Sequence, residues 1–184
     1  MPAHTLILGG AKSGKSALAQ RLAEAAGGHL VYLATAQARD PEMAARIARH
    51  QVQRGPAWTT REEPLELARA LKELDRPRQV ILVDCLTLWL SNLLTLAGLE
   101  DSAVEARARK LAALIPGLQC RLILVANEVG LGIVPDNPLA RRFRDLAGSL
   151  HQSLAAVCDQ VILVAAGLPL VLKGPPPSKP NPTD

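Results

Sequence analysis

The chain has 184 residues, 48% of them hydrophobic, and a formal net charge of +4. This length predicts one domain with a full hydrophobic core, and the sequence has no apolar run of the length that a membrane span needs. Aromatic residues make up only 2%, so few side chains can stack on unpaired bases. The charge fits a phosphate-rich ligand or ordinary solubility equally well. Composition therefore argues against a membrane protein and against a binder of single-stranded nucleic acid.

The cysteines and the two chain ends give further expectations. Cys85, Cys120 and Cys158 lie far apart and form no C-x-x-C pair, so reduced thiols in a cytoplasmic protein fit best. The N-terminal residues lead directly into the first predicted strand, which predicts no signal peptide. We expect a single domain over residues 1–173 and a proline-rich, disordered tail over residues 174–184.

Short aliphatic runs alternate with helical patterns along the whole chain. The patterns predict, in chain order, a strand at 5–8, a helix at 17–26, a strand at 30–33, helices at 41–53 and 65–74, a strand at 80–83, helices at 86–96 and 103–115, a strand at 122–125, a helix at 138–157, and strands at 161–164 and 168–172. Aliphatic runs without polar alternation are typical of parallel strands covered on both faces. The sequence therefore predicts an α/β protein with a doubly wound, mostly parallel sheet, helices on both faces and ligands at the carboxyl ends of the strands.

A phosphate-binding motif lies between the first predicted strand and the first predicted helix. The motif is the complete G-x-x-x-x-G-K-S sequence of a P-loop NTPase, formed by Gly9, Gly10, Ala11, Lys12, Ser13, Gly14, Lys15 and Ser16. The glycines let backbone N–H groups converge on phosphates, and the helix N-terminus adds its positive dipole end. We expect Lys15 to reach the β- and γ-phosphates and Ser16 to ligate Mg²⁺. A glycine-rich turn that matches by chance is the alternative.

Polar residues follow two of the other predicted strands. Asp84 stands where phosphate-loop proteins hold Mg²⁺ directly or through water, although an N-cap for the helix from Leu86 is the alternative. Asn127 and Glu128 precede a flexible, glycine-rich loop over residues 129–135, which indicates either a substrate-facing site or simple turn formation. These segments match neither the N-K-x-D nor the D-x-x-G motif, which argues against a regulatory GTPase.

The predicted helix at 41–53 carries a basic face. Arg46, His50 and Arg54 share that face at helical spacing, with Arg49 beside them. Like charges repel one another unless a polyanion binds there. The neighbouring cations favour the neutral form of His50, and a neutral imidazole is a nucleophile that can attack phosphorus. A solvated surface histidine is the alternative.

A second basic cluster lies near the start of the predicted helix at 138–157. It consists of Arg141, Arg142 and Arg144, with Asp145 beside them. Arginine side chains in that place either clamp phosphates or face solvent, and the sequence does not separate the two.

The remaining histidines carry little functional signal. His4 and His29 flank predicted strands, so we expect both to be exposed. His151 lies in the middle of a predicted helix, where packing or surface exposure is expected. No group of residues has the spacing of a zinc site.

In their order, these motifs resemble one family, the bifunctional adenosylcobinamide kinase / adenosylcobinamide-phosphate guanylyltransferase of cobalamin biosynthesis. The matching segments are GGAKSGKS at 9–16, YLATA at 32–36, DPEMAARI at 40–47 with His50, WTTRE at 58–62, VDCLTLWLSNLL at 83–94, NEVGLGIVP at 127–135, Arg144-Asp145 and Gly148. They span nearly the whole chain before the tail. The phosphate loop alone is generic, whereas the segment with His50 and the loop 127–135 are more specific.

The resemblance implies two reactions on one substrate. A triphosphate, ATP or GTP, phosphorylates the aminopropanol hydroxyl of adenosylcobinamide. GTP then transfers GMP to that phosphate through a GMP–histidine intermediate, which gives adenosylcobinamide-GDP and pyrophosphate. The resemblance also implies a homotrimer that binds this corrinoid. The scarcity of aromatic residues and the lack of a reading motif predict no nucleic-acid partner.

The resemblance assigns roles to particular residues. It makes His50 the nucleophile, whereas the phosphate-loop motif already gives Lys15 as the other catalytic residue and Ser16 and Asp84 as the Mg²⁺ site. Besides the phosphate loop, the positions that match the family's nucleotide site are Ala34, Thr35, Ala36, Gln51, Val52, Gln53, Arg54, Glu62 and Asp84. Two positions depart from the pattern. His151 stands where many members have asparagine, and Lys12 replaces the commoner arginine, so it cannot make a bidentate phosphate contact.

Three other functions remain open from the sequence. A kinase for another small metabolite would share Lys15 and Asp84 but would have no use for His50. A family variant that only transfers GMP is not separable by motif, because one nucleotide site serves both steps. A nucleotide-dependent nucleic-acid-binding protein fits the sequence pI of about 9.3 but lacks a recognised reading motif.

Overall fold

A computed structural model describes residues 3–37 and 55–176. The strands within these ranges are β1 Thr5–Gly9, β2 His29–Ala34, β3 Trp58–Glu62, β4 Gln79–Asp84, β5 Arg121–Asn127, β6 Gln160–Ala165 and β7 Leu168–Lys173. The helices are α1 Lys15–Ala26, α2 Leu67–Leu74, α3 Leu86–Thr95, α4 Asp101–Leu114 and α5 Pro138–Val157, with a short 3₁₀ turn at Ile115–Gly117.

The strands form one sheet in the order β3-β2-β4-β5-β1-β6-β7. All neighbouring pairs are parallel except β6 and β7, which form an antiparallel hairpin. β1 lies between β5 and β6, and its last residue, Gly9, is in register with Asn127 on one side and Val164 on the other. The predicted α/β fold with a mostly parallel sheet is therefore confirmed, and the carboxyl ends of β1 and β5 meet at one edge.

Apolar side chains on both faces of the sheet are covered by helices. Successive residues of a strand point to opposite faces, so Leu6 and Leu8 belong to one buried cluster and Ile7 belongs to the other. The first cluster includes residues of α2, α3, α4 and α5, whereas the second is covered by α1 through residues such as Leu18 and Ala23. The phosphate loop therefore lies at the start of α1, on the face of the sheet that this helix covers.

Most predicted elements are present with only small shifts in their ends. The helix at 138–157 begins and ends as predicted. Its start is fixed by Asn137, whose side-chain oxygen accepts hydrogen bonds from Leu139 N at 2.8 Å and Ala140 N at 3.1 Å. Pro138 occupies the first helical position, where its missing N–H costs nothing. The predicted helix at 41–53 lies outside the described residues.

Two strands differ from the sequence-based expectation. β3 was not predicted, because Trp58–Glu62 alternates one buried tryptophan with mostly exposed polar residues at the edge of the sheet. β7 is present as predicted, but the burial on both faces that its aliphatic run predicted is wrong. Its residues are mostly exposed, and the strand forms the other edge of the sheet.

His4 also differs from the expectation, because it is buried, with 4% of its surface exposed. Its backbone N donates to Asp159 Oδ2 at 2.7 Å, and its carbonyl accepts from the backbone N–H groups of Asp159 and Gln160. These bonds tie the residue before β1 to the start of β6. His29 is exposed, as predicted. No helix among the described residues is both long and apolar enough to cross a membrane.

Burial lowers the pKa of both His4 and His151 from the usual 6.5. Just below pH 6.5 the unfolded chain therefore binds more protons than the folded chain. The stabilisation that comes from these two neutral histidines is fully present above about pH 6.5, and the free energy of unfolding decreases as the pH falls below it. Urea unfolding between pH 7.5 and 5.5 measures this slope. We expect His4→Gln to reduce this slope, and His29→Gln, at an exposed position, is the matched control. An unchanged slope in His4→Gln would assign the acid sensitivity to other groups.

Candidate active site

The phosphate loop joins β1 to α1 and folds back on itself. Ser13 N donates to Gly10 O at 3.3 Å, and Leu18 N donates to Gly14 O at 3.0 Å, which begins the hydrogen bonding of α1. Lys15 is the first residue of α1 and only 8% exposed, and its Nζ donates to Gly10 O at 2.9 Å. The lysine cation is thus held over the loop in which phosphate groups would lie.

Two glycines of this loop have no room for a side chain. A Cβ atom on Gly9 would lie 2.5 Å from Val164 O and 2.6 Å from Ser13 Oγ. Gly14 has a φ of +97°, a region that side-chain-bearing residues rarely adopt, and its Cβ would lie 3.1 Å from Gly167 Cα. The turn of the β6–β7 hairpin therefore forms one wall of the loop, and Gly167 N donates to Ser13 O at 2.8 Å.

We expect Gly14→Ala to weaken nucleotide binding sharply. The left-handed backbone costs roughly 1–2 kcal/mol with a side chain, and the new methyl group meets the hairpin backbone. Gly117→Ala is the control, because Gly117 lies outside the phosphate loop and a Cβ there meets nothing within 4 Å. Titration with a fluorescent GTP analogue measures binding, and thermal unfolding checks the fold. Wild-type affinity in Gly14→Ala would show that the loop adapts to the side chain.

Asp84 ends β4, two strands away from the phosphate loop in the sheet. Its Oδ2 accepts a hydrogen bond from Tyr32 OH at 2.9 Å. The N-cap residue of α3 is Cys85, and no side chain caps that helix end. The N-cap interpretation of Asp84 is therefore wrong, and the carboxylate lies at the carboxyl edge of the sheet without serving the helix.

Three of the residues that the resemblance assigned to nucleotide binding lie side by side. Ala34, at the end of β2, is in register with Glu62 of β3 on one side and with Asp84 of β4 on the other. Together with Asn127 and Gly9, which pair across β5 and β1, they mark the same carboxyl edge of the sheet. The structure thus places motifs that are distant in sequence next to one another along the carboxyl edge of the sheet.

Thr35 is fully buried and bonds to the start of α3. Its Oγ1 donates to Cys85 O at 2.7 Å and accepts from Cys85 N at 2.9 Å. Asn92 Nδ2 in turn donates to Thr35 O at 2.9 Å. The threonine hydroxyl therefore fixes the segment after β2 against α3. Sequence motifs named Thr35 but did not indicate this structural bond, which only the folded chain makes visible.

Glu128 follows β5 directly beside the phosphate loop. Its backbone N donates to Gly9 O at 3.0 Å, and its Oε1 accepts a hydrogen bond from Gly130 N. Its Oε2 lies 3.8 Å from His151 Nδ1 of α5. Burial lowers the pKa of His151, while the Glu128 charge opposes that shift. Glu128 therefore shapes the turn and also faces a buried imidazole, a pair that the sequence did not indicate.

The second basic cluster is mostly occupied with structural bonds. Arg141 donates to the carbonyls of Pro135 at 2.9 Å and Asp136 at 2.7 Å. Arg142 forms an ion pair with Asp101 and donates to Leu99 O at 3.0 Å. These two guanidinium groups hold loops, which accounts for their position without a phosphate ligand.

None of the three cysteines is set up as a nucleophile. Burial raises the pKa of the Cys120 and Cys158 thiols to about 12. Burial also raises the pKa of Cys85, and the charge of Asp84 adds to that shift. Thiols with such pKa values stay protonated near neutral pH and are unreactive.

The remaining predicted site residues lie outside the described part of the chain. They are His50, Gln51, Val52, Gln53 and Arg54, together with the flanking Arg46 and Arg49. Their roles stay predictions.

The fold and the phosphate loop define a P-loop α/β protein of the nucleotide-binding class. In three dimensions it is similar to a solved structure from Pyrococcus horikoshii OT3, with a TM-score of 0.56 and 9% identity over 94% of this chain and 86% of that chain. That likeness concerns the fold alone.

Sequence comparison is more specific. The model of the family described as cobinamide kinase / cobinamide phosphate guanyltransferase matches residues 5–172, and the chain belongs to this family. It is 49% identical to the bifunctional adenosylcobalamin biosynthesis protein CobP of Pseudomonas aeruginosa, over 93% of this chain and 98% of that protein. It is 37% identical to the bifunctional adenosylcobalamin biosynthesis protein CobU of Escherichia coli, over 91% and 98% respectively.

Proposed function

We propose that this chain catalyses two successive transfers to a corrinoid. ATP or GTP first gives its γ-phosphoryl group to the aminopropanol hydroxyl of adenosylcobinamide. GTP then gives GMP to the resulting phosphate, which forms adenosylcobinamide-GDP and releases pyrophosphate. Family membership supports both steps. The observation that supports nucleotide binding in both steps is the complete phosphate loop, with the Lys15 ammonium held over it.

The phosphate loop and the adjoining strand ends form the proposed nucleotide site. Backbone N–H groups of residues 9–16 and the N-terminus of α1 would bind the β- and γ-phosphates. Lys15 would offset the charge that develops on the leaving phosphates in both steps. Ala34, Ala36 and Glu62, at or just beyond the ends of neighbouring strands, would face the rest of the nucleotide.

Mg²⁺ fits the oxygen donors at this edge. Ser16 offers a hydroxyl and Asp84 offers a carboxylate, and both are hard ligands that this ion prefers. Across residues 3–37 and 55–176 no group of three or more His, Cys, Asp or Glu side chains could hold a metal, so phosphate and water oxygens would supply the remaining ligands. When bound, the ion neutralises charge on the phosphate oxygens.

His50 is the proposed nucleophile of the second reaction. Its imidazole nitrogen would form a bond to the α-phosphorus of GTP while the bond to pyrophosphate breaks. An oxygen of adenosylcobinamide-phosphate would then attack the same phosphorus and release the imidazole. Two displacements at the α-phosphorus thus replace a direct attack of the anionic adenosylcobinamide-phosphate on the anionic GTP.

Glu128 is the proposed base of the first reaction. It lies beside the loop through its backbone bond to Gly9, Gly130 N donates a hydrogen bond to its carboxylate, and His151 Nδ1 lies 3.8 Å from that carboxylate. As the hydroxyl oxygen bonds to the γ-phosphorus and the nucleoside diphosphate leaves, the hydroxyl proton would pass to this carboxylate. We therefore assign Glu128 to the substrate side of the loop.

Product analysis tests the proposed function. The protein is incubated with adenosylcobinamide, Mg²⁺ and either ATP alone or ATP with GTP, and the corrinoids are separated and weighed by mass spectrometry. We expect the monophosphate with ATP alone, and adenosylcobinamide-GDP with stoichiometric pyrophosphate when GTP is added. Unchanged adenosylcobinamide in both mixtures would refute the proposal.

A homotrimer is part of the same proposal. Leu168, Leu170 and Leu172 of the edge strand β7 are 72%, 58% and 56% exposed, and their alternate positions place them on one face. An apolar face on an edge strand supports self-association. Sedimentation equilibrium should give three times the monomer mass.

The buried free thiols of the described chain support a cytoplasmic location.

A further inference from the structure

An apolar cavity of about 510 Å³ lies on the α5 side of the sheet. It is an open recess bounded by α3, by the segment after β5 and by the first half of α5. Its apolar wall includes Leu94, Val129, Leu139 and Phe143, and its polar groups include Asn137 and Arg144. The volume falls within the range of ordinary ligand sites.

One short segment of chain links the wall of the cavity to the phosphate loop. Val129, which lines the cavity, follows Glu128, whose backbone N donates to Gly9 O. Because an extended chain advances about 3.3–3.6 Å per residue, Val129 lies within roughly 7 Å of Asn127, the residue in register with Gly9. A ligand seated against Val129 therefore reaches the loop with a short arm.

We propose that this cavity binds one edge of the corrin ring of cobinamide, so that the hydroxyl on the aminopropanol arm extends past Glu128 to the phosphate loop. The inference rests on the proposed function and adds the site of its large substrate. A corrinoid joins an apolar macrocycle to peripheral amides and to one hydroxyl-bearing arm. Its shape matches an apolar recess beside, and not inside, the site of phosphoryl transfer.

The walls of the cavity suit this ligand. The four apolar side chains would cover the edge of the ring, while Asn137 and Arg144 offer donors for amide carbonyls. Among the described residues, Arg144 forms an ion pair with the adjacent Asp145, at 3.6 Å. This ion pair does not connect the arginine side chain to another helix or strand. The cavity is smaller than a whole corrinoid, so the rest of the ring would lie outside.

An exposed apolar surface adjoins the cavity. Leu131 and Ile133, in the loop between Val129 and Pro135, are 83% and 96% exposed. Contiguous exposed apolar side chains are typical of binding surfaces. They extend the apolar wall toward the part of the ring that the cavity does not hold.

The test blocks the cavity and measures corrinoid and nucleotide separately. Ala140→Trp places a large ring in the cavity, since Ala140 lines it. Ala156→Trp makes the same change at an exposed position of the same helix and is the control. Equilibrium dialysis of cobinamide, followed by its visible absorption, gives the affinity. Self-labelling with GTP labelled at the α-phosphate reports on the nucleotide half without any corrinoid.

We expect Ala140→Trp to weaken cobinamide binding at least tenfold, with wild-type affinity in Ala156→Trp. If Ala140→Trp fails to fold, Leu139→Asn serves in its place, because Leu139 is half exposed at the rim and tolerates a polar group. Wild-type cobinamide affinity in both cavity variants would overturn the inference and leave the proposed function standing. The same affinity with an altered sedimentation coefficient would make the cavity a contact between copies of the chain. A wild-type protein that neither binds cobinamide nor becomes labelled would instead refute the proposed function.

Discussion

Lys15→Ala is expected to lose both phosphoryl transfer and guanylyl transfer, by roughly 10²–10³-fold or more in kcat. The side chain is almost fully buried over the loop, and its Nζ is 2.9 Å from Gly10 O. The first proposed reaction expels a nucleoside diphosphate and the second expels pyrophosphate, so both would lose the cation that offsets the charge developing on the leaving phosphates. Rates of adenosylcobinamide phosphorylation and of pyrophosphate release measure the two effects.

Lys110→Ala is the control for Lys15→Ala. It removes the same charge from an exposed position on α4, so both rates should stay close to those of the wild type. Full kinase activity in Lys15→Ala would remove this lysine from the mechanism. Loss of only one activity would show that the two reactions use separate nucleotide sites.

His50→Ala is expected to abolish covalent labelling by GTP that carries its label at the α-phosphate. A phosphoramidate between histidine and GMP should survive denaturation, resist base and hydrolyse in acid. Phosphorylation of adenosylcobinamide by ATP should continue, because that step does not need the imidazole. The label and its stability are measured on the denatured protein after incubation with Mg²⁺ and no acceptor.

His29→Ala is the matched control, since His29 is exposed at the first position of β2, at the end of the strand opposite to the proposed site. It should become labelled like the wild type. Labelling of the His50→Ala variant would place the nucleophile elsewhere. A wild-type protein that binds GTP but takes no label would favour a plain kinase. A variant that unfolds would make His50 a structural residue.

Much of the fold follows from local rules in the sequence. The start of α5 is set by an N-cap asparagine and a proline at the first helical position, and the phosphate loop is fixed by glycines that the backbone requires. β3 was not predicted, and β7 was predicted as a strand but with the wrong burial, because both are edge strands, where burial no longer decides which residues are polar. A hydrophobic run at β7 therefore predicted burial that the folded monomer does not provide.

The site could be predicted only as far as motifs reach. The sequence named Lys15, Asp84 and Glu128 individually, because each follows a strand or opens a helix. It could not indicate that Glu128 faces His151 or that Thr35 bonds to Cys85, because these partners are distant in sequence and carry no motif. The cavity was likewise invisible, since its walls come from three separate segments.

The position of β1 has a consequence for the newborn chain. Its sheet neighbours are β5 and β6, and His4 bonds to Asp159, which is 155 positions further along. The nucleotide motif thus leaves the ribosome long before the segments that pair with β1 and before the hairpin turn that backs its loop. Contacts of such long sequence separation form late. We expect chains that end before Gly167 to carry the entire motif and to bind no nucleotide, because they lack the hairpin turn that backs the loop.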